Sequence, residues 1–180
     1  RPIHVCMPYS TQLKLISSWW VQLWGESLGK DGKGFTPVAA TGATDQHSLL
    51  QLLRDGPDDK ITCFITIEHQ EDPVPIAKIP TKLEAFTRLQ ASSLGSLLMT
   101  EYRATSMVLS KRSRPNWSIQ LDRLDERNLG ALYFLFSVLT AMAGTLWGVN
   151  PFAQPGVEEG KIYIQEALAQ ERARSADAAE

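Results

Sequence analysis

The stretch Lys60-Ile-Thr-Cys-Phe-Ile-Thr-Ile-Glu68 narrows the possible folds more than any other. It is β-branched and aromatic, with apolar residues at both odd and even positions. A strand with one wet face would alternate; this one reads as an interior strand covered by helices on both sides. Asp55-Gly56-Pro57-Asp58-Asp59 is the turn that leads into it.

The rest of the chain supplies a sheet and its covers. Ile3–Met7, stopped by Pro8, reads as a strand, as does Thr36–Ala40, where Pro37 forbids helix. Trp117–Leu121 alternates as a partly exposed strand. Between the first two strands, Leu13, Ile16, Trp20, Leu23, Trp24 and Ser27 recur at i+3 and i+4, predicting a helix over Thr11–Lys30. Glu26 lies off the centre of that stripe, at the boundary between buried and wet faces. Leu49, Leu52 and Leu53 predict a helix after the second strand, with Thr44 or Asp45 accepting from its free N–H groups. His47 falls in its first turn, where the partial positive charge of a helix N-terminus disfavours imidazolium and suits a proton acceptor. After the central strand, Pro73, Pro75 and Pro80 keep His69–Pro80 irregular, with His69 solvated.

A single helix is expected over about Thr81–Lys111, roughly 45 Å long, with Leu83, Phe86, Leu94, Leu97, Glu101, Ala104 and Val108 as its stripe. Leu129–Val149 carries no charge and has about the length of a membrane span. Its Gly, Ser and Thr content, within a chain that otherwise reads as soluble α/β, points instead to a buried helix. The last helix is expected over about Pro155–Arg174, with Pro155 in its first turn and Ile162, Ile164, Ala167 and Leu168 as apolar members. Arg172–Glu180 is expected to fray. The expected fold is α/β, a doubly wound parallel sheet with strands near 3–8, 36–40, 61–67 and 117–121 and helices on both faces, plus long C-terminal helices.

Composition removes several classes of function. With 18 basic and 20 acidic residues, net charge −2 and no long single-sign run, nothing favours nucleic acid or an anionic membrane. Cys6 and Cys63 sit in apolar strand-like runs, so buried reduced thiols are expected rather than a disulfide framework or a metal site. Nothing at the N-terminus resembles a signal peptide, and a cytoplasmic location is expected. The chain opens at Arg1, without an initiator Met, and enters a strand almost at once, so a fragment is expected.

Three stretches carry chemistry. Gly144-Thr-Leu-Trp-Gly-Val-Asn-Pro-Phe-Ala-Gln-Pro-Gly-Val-Glu-Glu-Gly-Lys161 resembles the C-terminal signature of the glucose-6-phosphate isomerase family through Phe152, Gln154, Gly156, Val157, Glu158 and Lys161. Ala153 departs from it, standing where the family has Asp or Asn. Gly42-Ala-Thr-Asp-Gln-His47 resembles the segment with the family's ring-opening histidine. Trp24-Gly-Glu-Ser-Leu-Gly-Lys30 resembles the segment with its catalytic base. All three occur in the family's order.

The resemblance implies roles. Glu26 would move a proton between C1 and C2 through an enediol, His47 would open the pyranose ring, and Lys161 would assist at the ring or hydroxyl oxygens. Gln154 would lie near the substrate phosphate. The residue types suit the chemistry: a carbon-bound proton needs a free carboxylate with water excluded, and opening a hemiacetal needs a group titrating near neutrality. No metal or organic cofactor is implied. The family's Ser/Thr-rich phosphate loop and its enediolate-stabilising Arg precede the matching segment and have no counterpart here. Residues 1–124 are then expected to be a C-terminal sugar-isomerase-type domain truncated at its N-terminal side, and 125–180 the helices carrying the Gln/Lys signature. The partners implied are a sugar phosphate, the missing N-terminal domain, and a second subunit into whose active site His47 reaches. The 180 residues alone are expected to be inactive. A catalytically silent sugar-phosphate-binding domain, or an enzyme that also accepts mannose 6-phosphate, is the alternative; membrane anchoring through Leu129–Val149 is a third reading.

Overall fold

A computed structural model describes residues 1–69, 74–78, 80, 82, 84–89 and 92–177. Four strands, β1 (Ile3–Pro8), β2 (Thr36–Ala39), β3 (Lys60–Ile67) and β4 (Asn116–Leu121), form one sheet in the order β2-β1-β3-β4. Every pairing is parallel, with Ile3 opposite Thr36 and Lys60, and Thr62 opposite Asn116. The β3 run is interior, as its two apolar faces require.

Alternation along the strands builds two cores. Cys6, Ile65, Ile67 and Leu121 face α1 (Lys14–Leu28), which follows a 3₁₀ turn at Thr11–Leu13, and α5 (Glu126–Trp147). Val5, Met7 and Phe64 face α2 (Thr44–Asp55) and α4 (Leu94–Lys111). The α1 stripe is buried as its spacing predicts, at Leu13, Ile16, Trp20, Trp24 and Ser27. On α2 the inward residues are Leu49, Leu50 and Leu53, while Leu52 is exposed. Cys6 and Cys63 are free, buried and directly opposite one another in the β1–β3 register.

Other expectations about the helices give way. The 81–111 helix is two helices, α3 (Glu84–Leu89) and α4, because serines take over the backbone between them: Ser92 Oγ donates to Leu89 O at 2.6 Å, and Ser93 Oγ caps α4 by accepting from Ser96 N–H at 3.1 Å. The expected start at Thr81, and Leu83 and Pro73, lie outside the described residues. The inward face of α4 is Leu98–Tyr102–Thr105–Leu109, one residue on from the expected stripe, because Tyr102 packs edge-on against Tyr9 and Phe64.

The third correction is α5. Its apolarity predicts burial all round, yet only Leu132, Phe136, Thr140 and Gly144 are buried, and Phe134, Met142 and Leu146 are exposed. One face packs on α1; among the described residues nothing lies over the other. By length and apolarity alone α5 could cross a bilayer. Last, α6 runs over Pro155–Asp177 rather than fraying at Arg172; Ala178–Glu180 lie outside the described residues. Its residues 155–172 are exposed, including Ile162, Tyr163, Ile164 and Leu168.

Candidate functional site

Glu26 sits two residues from the end of α1, half-buried, as its place beside the stripe predicts. Its carboxylate is held from two sides. The Gln22 amide, one turn back, donates to Oε1 at 3.2 Å, and the Gln154 amide donates to Oε2 at 3.1 Å. Each oxygen keeps a further lone pair, so the group is oriented without being saturated. Two of the three motifs thus meet across 128 residues of sequence. Glu26 and Gln154 border a cavity of about 260 Å³ whose walls also include Gly25, Lys30, Asp31 and Val157.

Underneath lies an aromatic stack. Trp24 is stacked on Phe35, which is stacked in turn on His4, with Trp147 edge-on to both Trp24 and Phe35. Burial lowers the His4 pKa from its ordinary value. This stack joins the start of β1, the end of α1 and the end of α5, and so fixes where the 148–154 loop can begin. Gly144 admits the ring of Pro151, whose Cγ would lie 2.9 Å from any added Cβ. Phe152 is 86% exposed and Ala153 is exposed, so the position that departs from the family's pattern faces solvent.

Lys161 is exposed on α6, where Nζ donates to Glu158 Oε1 at 2.7 Å. It stands four residues beyond Val157 and hence on the same helix face, one turn outward from the cavity wall. Lys161 is therefore aligned with the Glu26 site but is not among the residues that line it.

His47 is elsewhere. It is exposed in the first turn of α2, just after a tight turn held by Asp45, Gln46 and Gly42. Asp45 does not cap the helix N–H groups as expected; its Oδ2 reaches back to accept from Thr41 N–H at 2.6 Å. Thr44 does not cap them either: Ala43 occupies the cap position with φ of +64°, a conformation that L residues rarely adopt. Gly42 lies flat on the Tyr9 ring, where an added Cβ would come within 2.4 Å of Cγ. The Tyr9 hydroxyl donates to Gln46 Oε1, and burial pushes the phenol up to about 12. The result is a stiff turn that presents His47 outward.

Sheet direction then separates the two groups. Glu26 lies where α1 returns to the start of β2, at the amino edge of the parallel strands. His47 follows the end of β2, at the carboxyl edge. A six-residue strand spans about 20 Å, so the separation is of that order. His69, expected to be solvated, is exposed and its Nδ1 pairs with Asp122 Oδ1 at 2.9 Å. Sequence reasoning misses Gln22; its i−4 spacing from Glu26 is the available signal.

Known proteins share this architecture. A glucose-6-phosphate isomerase of Rubrobacter xylanophilus is 47% identical over 161 residues, covering 89% of this chain and 37% of that protein. A probable glucose-6-phosphate isomerase of Methanococcus maripaludis is 39% identical over 168 residues, covering 93% of this chain and 37% of the relative. Among solved structures, a hypothetical protein from Thermus thermophilus superposes with a TM-score of 0.88 at 38% identity, over 93% of this chain and 41% of the other. A glucose-6-phosphate isomerase from Chlamydia trachomatis superposes at 0.80 and 25% identity, over 95% and 35%. The chain thus spans little more than a third of the length of these curated relatives. With residues 1–179 matching phosphoglucose isomerase, the chain belongs to the phosphoglucose isomerase family.

Proposed function

We propose that this chain is the C-terminal part of a cytoplasmic glucose-6-phosphate isomerase, interconverting glucose 6-phosphate and fructose 6-phosphate by ring opening followed by enediol proton transfer. The observation that carries the reading is the hydrogen bond from Gln154 to Glu26, which draws the C-terminal signature onto the candidate base. In this reading residues 1–124 form the sheet domain and 125–180 the helices bearing the signature.

Glu26 takes the proton from one sugar carbon and returns it to the neighbour. Two amides fix its orientation while leaving lone pairs for the carbon-bound proton. His47 opens the pyranose ring before that transfer. Lys161 supports the oxygen on which charge develops, as a cation placed beside a forming oxyanion does. Gln154, bonded to Glu26, also lies near the phosphate end of the bound sugar. The phosphate itself, the enediolate-stabilising cation and the cover over α5 and α6 belong to the part of the protein that precedes this segment.

Glu26 and His47 face opposite edges of one sheet, a separation of about 20 Å that a single hexose cannot bridge. Each active site therefore takes Glu26 from one subunit and His47 from its partner in a homodimer.

Mixed dimers test this directly. Full-length Glu26→Gln and His47→Ala enzymes are each expected to be nearly inactive. Subunit exchange between them should restore turnover, because every mixed dimer has one site with both residues intact. Failure of the mixture to regain activity, after exchange is verified by mass spectrometry, would place both residues in one subunit's site and refute the reading.

A further inference from the structure

The contact between Gln154 and Glu26 depends on where the 148–154 loop is held. Gln22 reaches Oε1 from the same helix as Glu26 and needs no help. The donor to Oε2 arrives from a loop whose nearest side chains, Phe152 and Ala153, are exposed. The Pro151 ring seated against Gly144 and the buried Val149 hold the loop to the core, but neither ties it to the end of α1.

Lys30 does so. Its Nζ donates to Ser27 O at 2.8 Å and to Asn150 O at 2.6 Å. Ser27 O is among the last four carbonyls of α1, which have no partner within the helix and carry the negative end of its dipole. One ammonium therefore closes the end of α1 and fastens the loop beside it, four residues before Gln154. Lys33 makes a similar tie to Trp147 O at 2.8 Å, but that acts where α5 ends, upstream of Asn150.

We propose that Lys30 is a positioning residue for proton transfer, its ammonium fastening Asn150 to the end of α1 so that the Gln154 amide stays on the Glu26 carboxylate. The proposal rests on the reading of Glu26 as the base. Without the tie, Oε2 loses its fixed donor, and the carboxylate keeps only the Gln22 contact on Oε1. Misplacement of a reacting group by about 1 Å costs on the order of 10²-fold in rate, so even partial loosening is measurable.

The test uses the full-length enzyme. Lys30→Met keeps side-chain length and removes the donors; Lys30→Arg restores them. Lys30→Met is expected to lower kcat by about 10-fold or more while KM stays within about 2-fold. Deuterium exchange at C1 of fructose 6-phosphate should slow by the same factor, and Lys30→Arg should recover most of both. Adding Lys30→Met to Gln154→Ala should cost little further, since the two act through one contact. An unchanged kcat overturns the proposal. So do additive losses in the double variant, or a loss in Lys30→Met that Lys30→Arg fails to recover and that tracks a lowered melting temperature. Should Lys30→Met not fold, Lys30→Gln, whose amide can reach one carbonyl, takes its place; if that also fails to fold, Lys30 is structural and the proposal falls. Glu26→Gln separates the two readings: near-normal exchange there defeats the base assignment, whereas an inert Glu26→Gln beside a normal Lys30→Met defeats only Lys30.

Discussion

Glu26 and His47 sit at opposite edges of one sheet, and the chain treats them differently. At the amino edge, Glu26 is met by Gln22, by Gln154 from the far end of the sequence, and by a loop fastened through Lys30. At the carboxyl edge, Tyr9, Gln46, Asp45 and Ala43 are all spent on the shape of the turn, and His47 points away from it. The first site is assembled by tertiary contact; the second is stiffened locally and offered outward. Under the proposed dimer, a group acting within its own fold gains from partners there, and one acting on another subunit gains from rigidity and exposure.

The largest effect expected from this contrast is at Glu26. In the full-length enzyme, Glu26→Gln keeps size and polarity but removes basicity, so isomerisation should fall by at least about 10³-fold, within the range of general acid–base groups. Sugar-phosphate binding and ring opening should persist. Proton exchange with deuterated water at C1 of fructose 6-phosphate and C2 of glucose 6-phosphate reads it; near-normal exchange would leave Glu26 a surface carboxylate. His47→Ala should cost about 10²-fold on the closed-ring sugar and far less on the open-chain form, within the usual contribution of such groups. Equal losses on both would make the residue structural and break the contrast.

Two further experiments concern the scaffold. Gly42→Ala drives a Cβ into the Tyr9 ring and should destabilise the fold by about 1–3 kcal/mol, the usual cost of overpacking. Urea unfolding measures it, and an unchanged midpoint would show that the turn yields. The smallest effects are in pH. His4 has a lowered pKa because of burial, so the unfolded chain takes a proton first as pH drops below about 6.5, and stability falls there. Tyr9 is raised to about 12, so the unfolded chain ionises first above its ordinary 10, and stability falls between those values as pH rises. Acid should therefore loosen the Glu26 edge and alkali the His47 edge. His4→Phe should remove the loss that begins below about 6.5, and Tyr9→Phe the Tyr9 share of the alkaline loss, the rest of which belongs to the buried Cys63 thiol.

Much of this is legible in the sequence. The two-faced β3 run predicts an interior strand, and the α1 stripe places Glu26 at its boundary, because both signals lie within one element. Motif order brings Glu26 and Gln154 under one reading before any contact between them is visible. What fails depends on partners. Ser92 and Ser93 read as ordinary members of one long helix until their hydroxyls are seen at the ends of two helices. The α4 stripe shifts by one residue because Tyr102 answers to Tyr9 and Phe64, strands away. Apolarity alone suggests burial for α5, whereas cover depends on what lies alongside it. Gln22 offers only its i−4 spacing from Glu26, and Lys30 closes the Trp24–Lys30 segment with nothing in the sequence to tie it to Asn150.

Cys6 and Cys63, opposite one another on the two middle strands, give this chain a built-in timer. Cys6 is 1% exposed, and the Cys6 thiol and burial together hold the Cys63 thiol well above its usual titration range, so neither reacts readily while the strands are paired. A thiol reagent too bulky for the apolar cavity of about 460 Å³ that both cysteines line would then be consumed no faster than β1 and β3 come apart. Proteolysis along the exposed α6 should leave that rate unaltered, so the same two sulfurs would tell a trimmed molecule from an opened one.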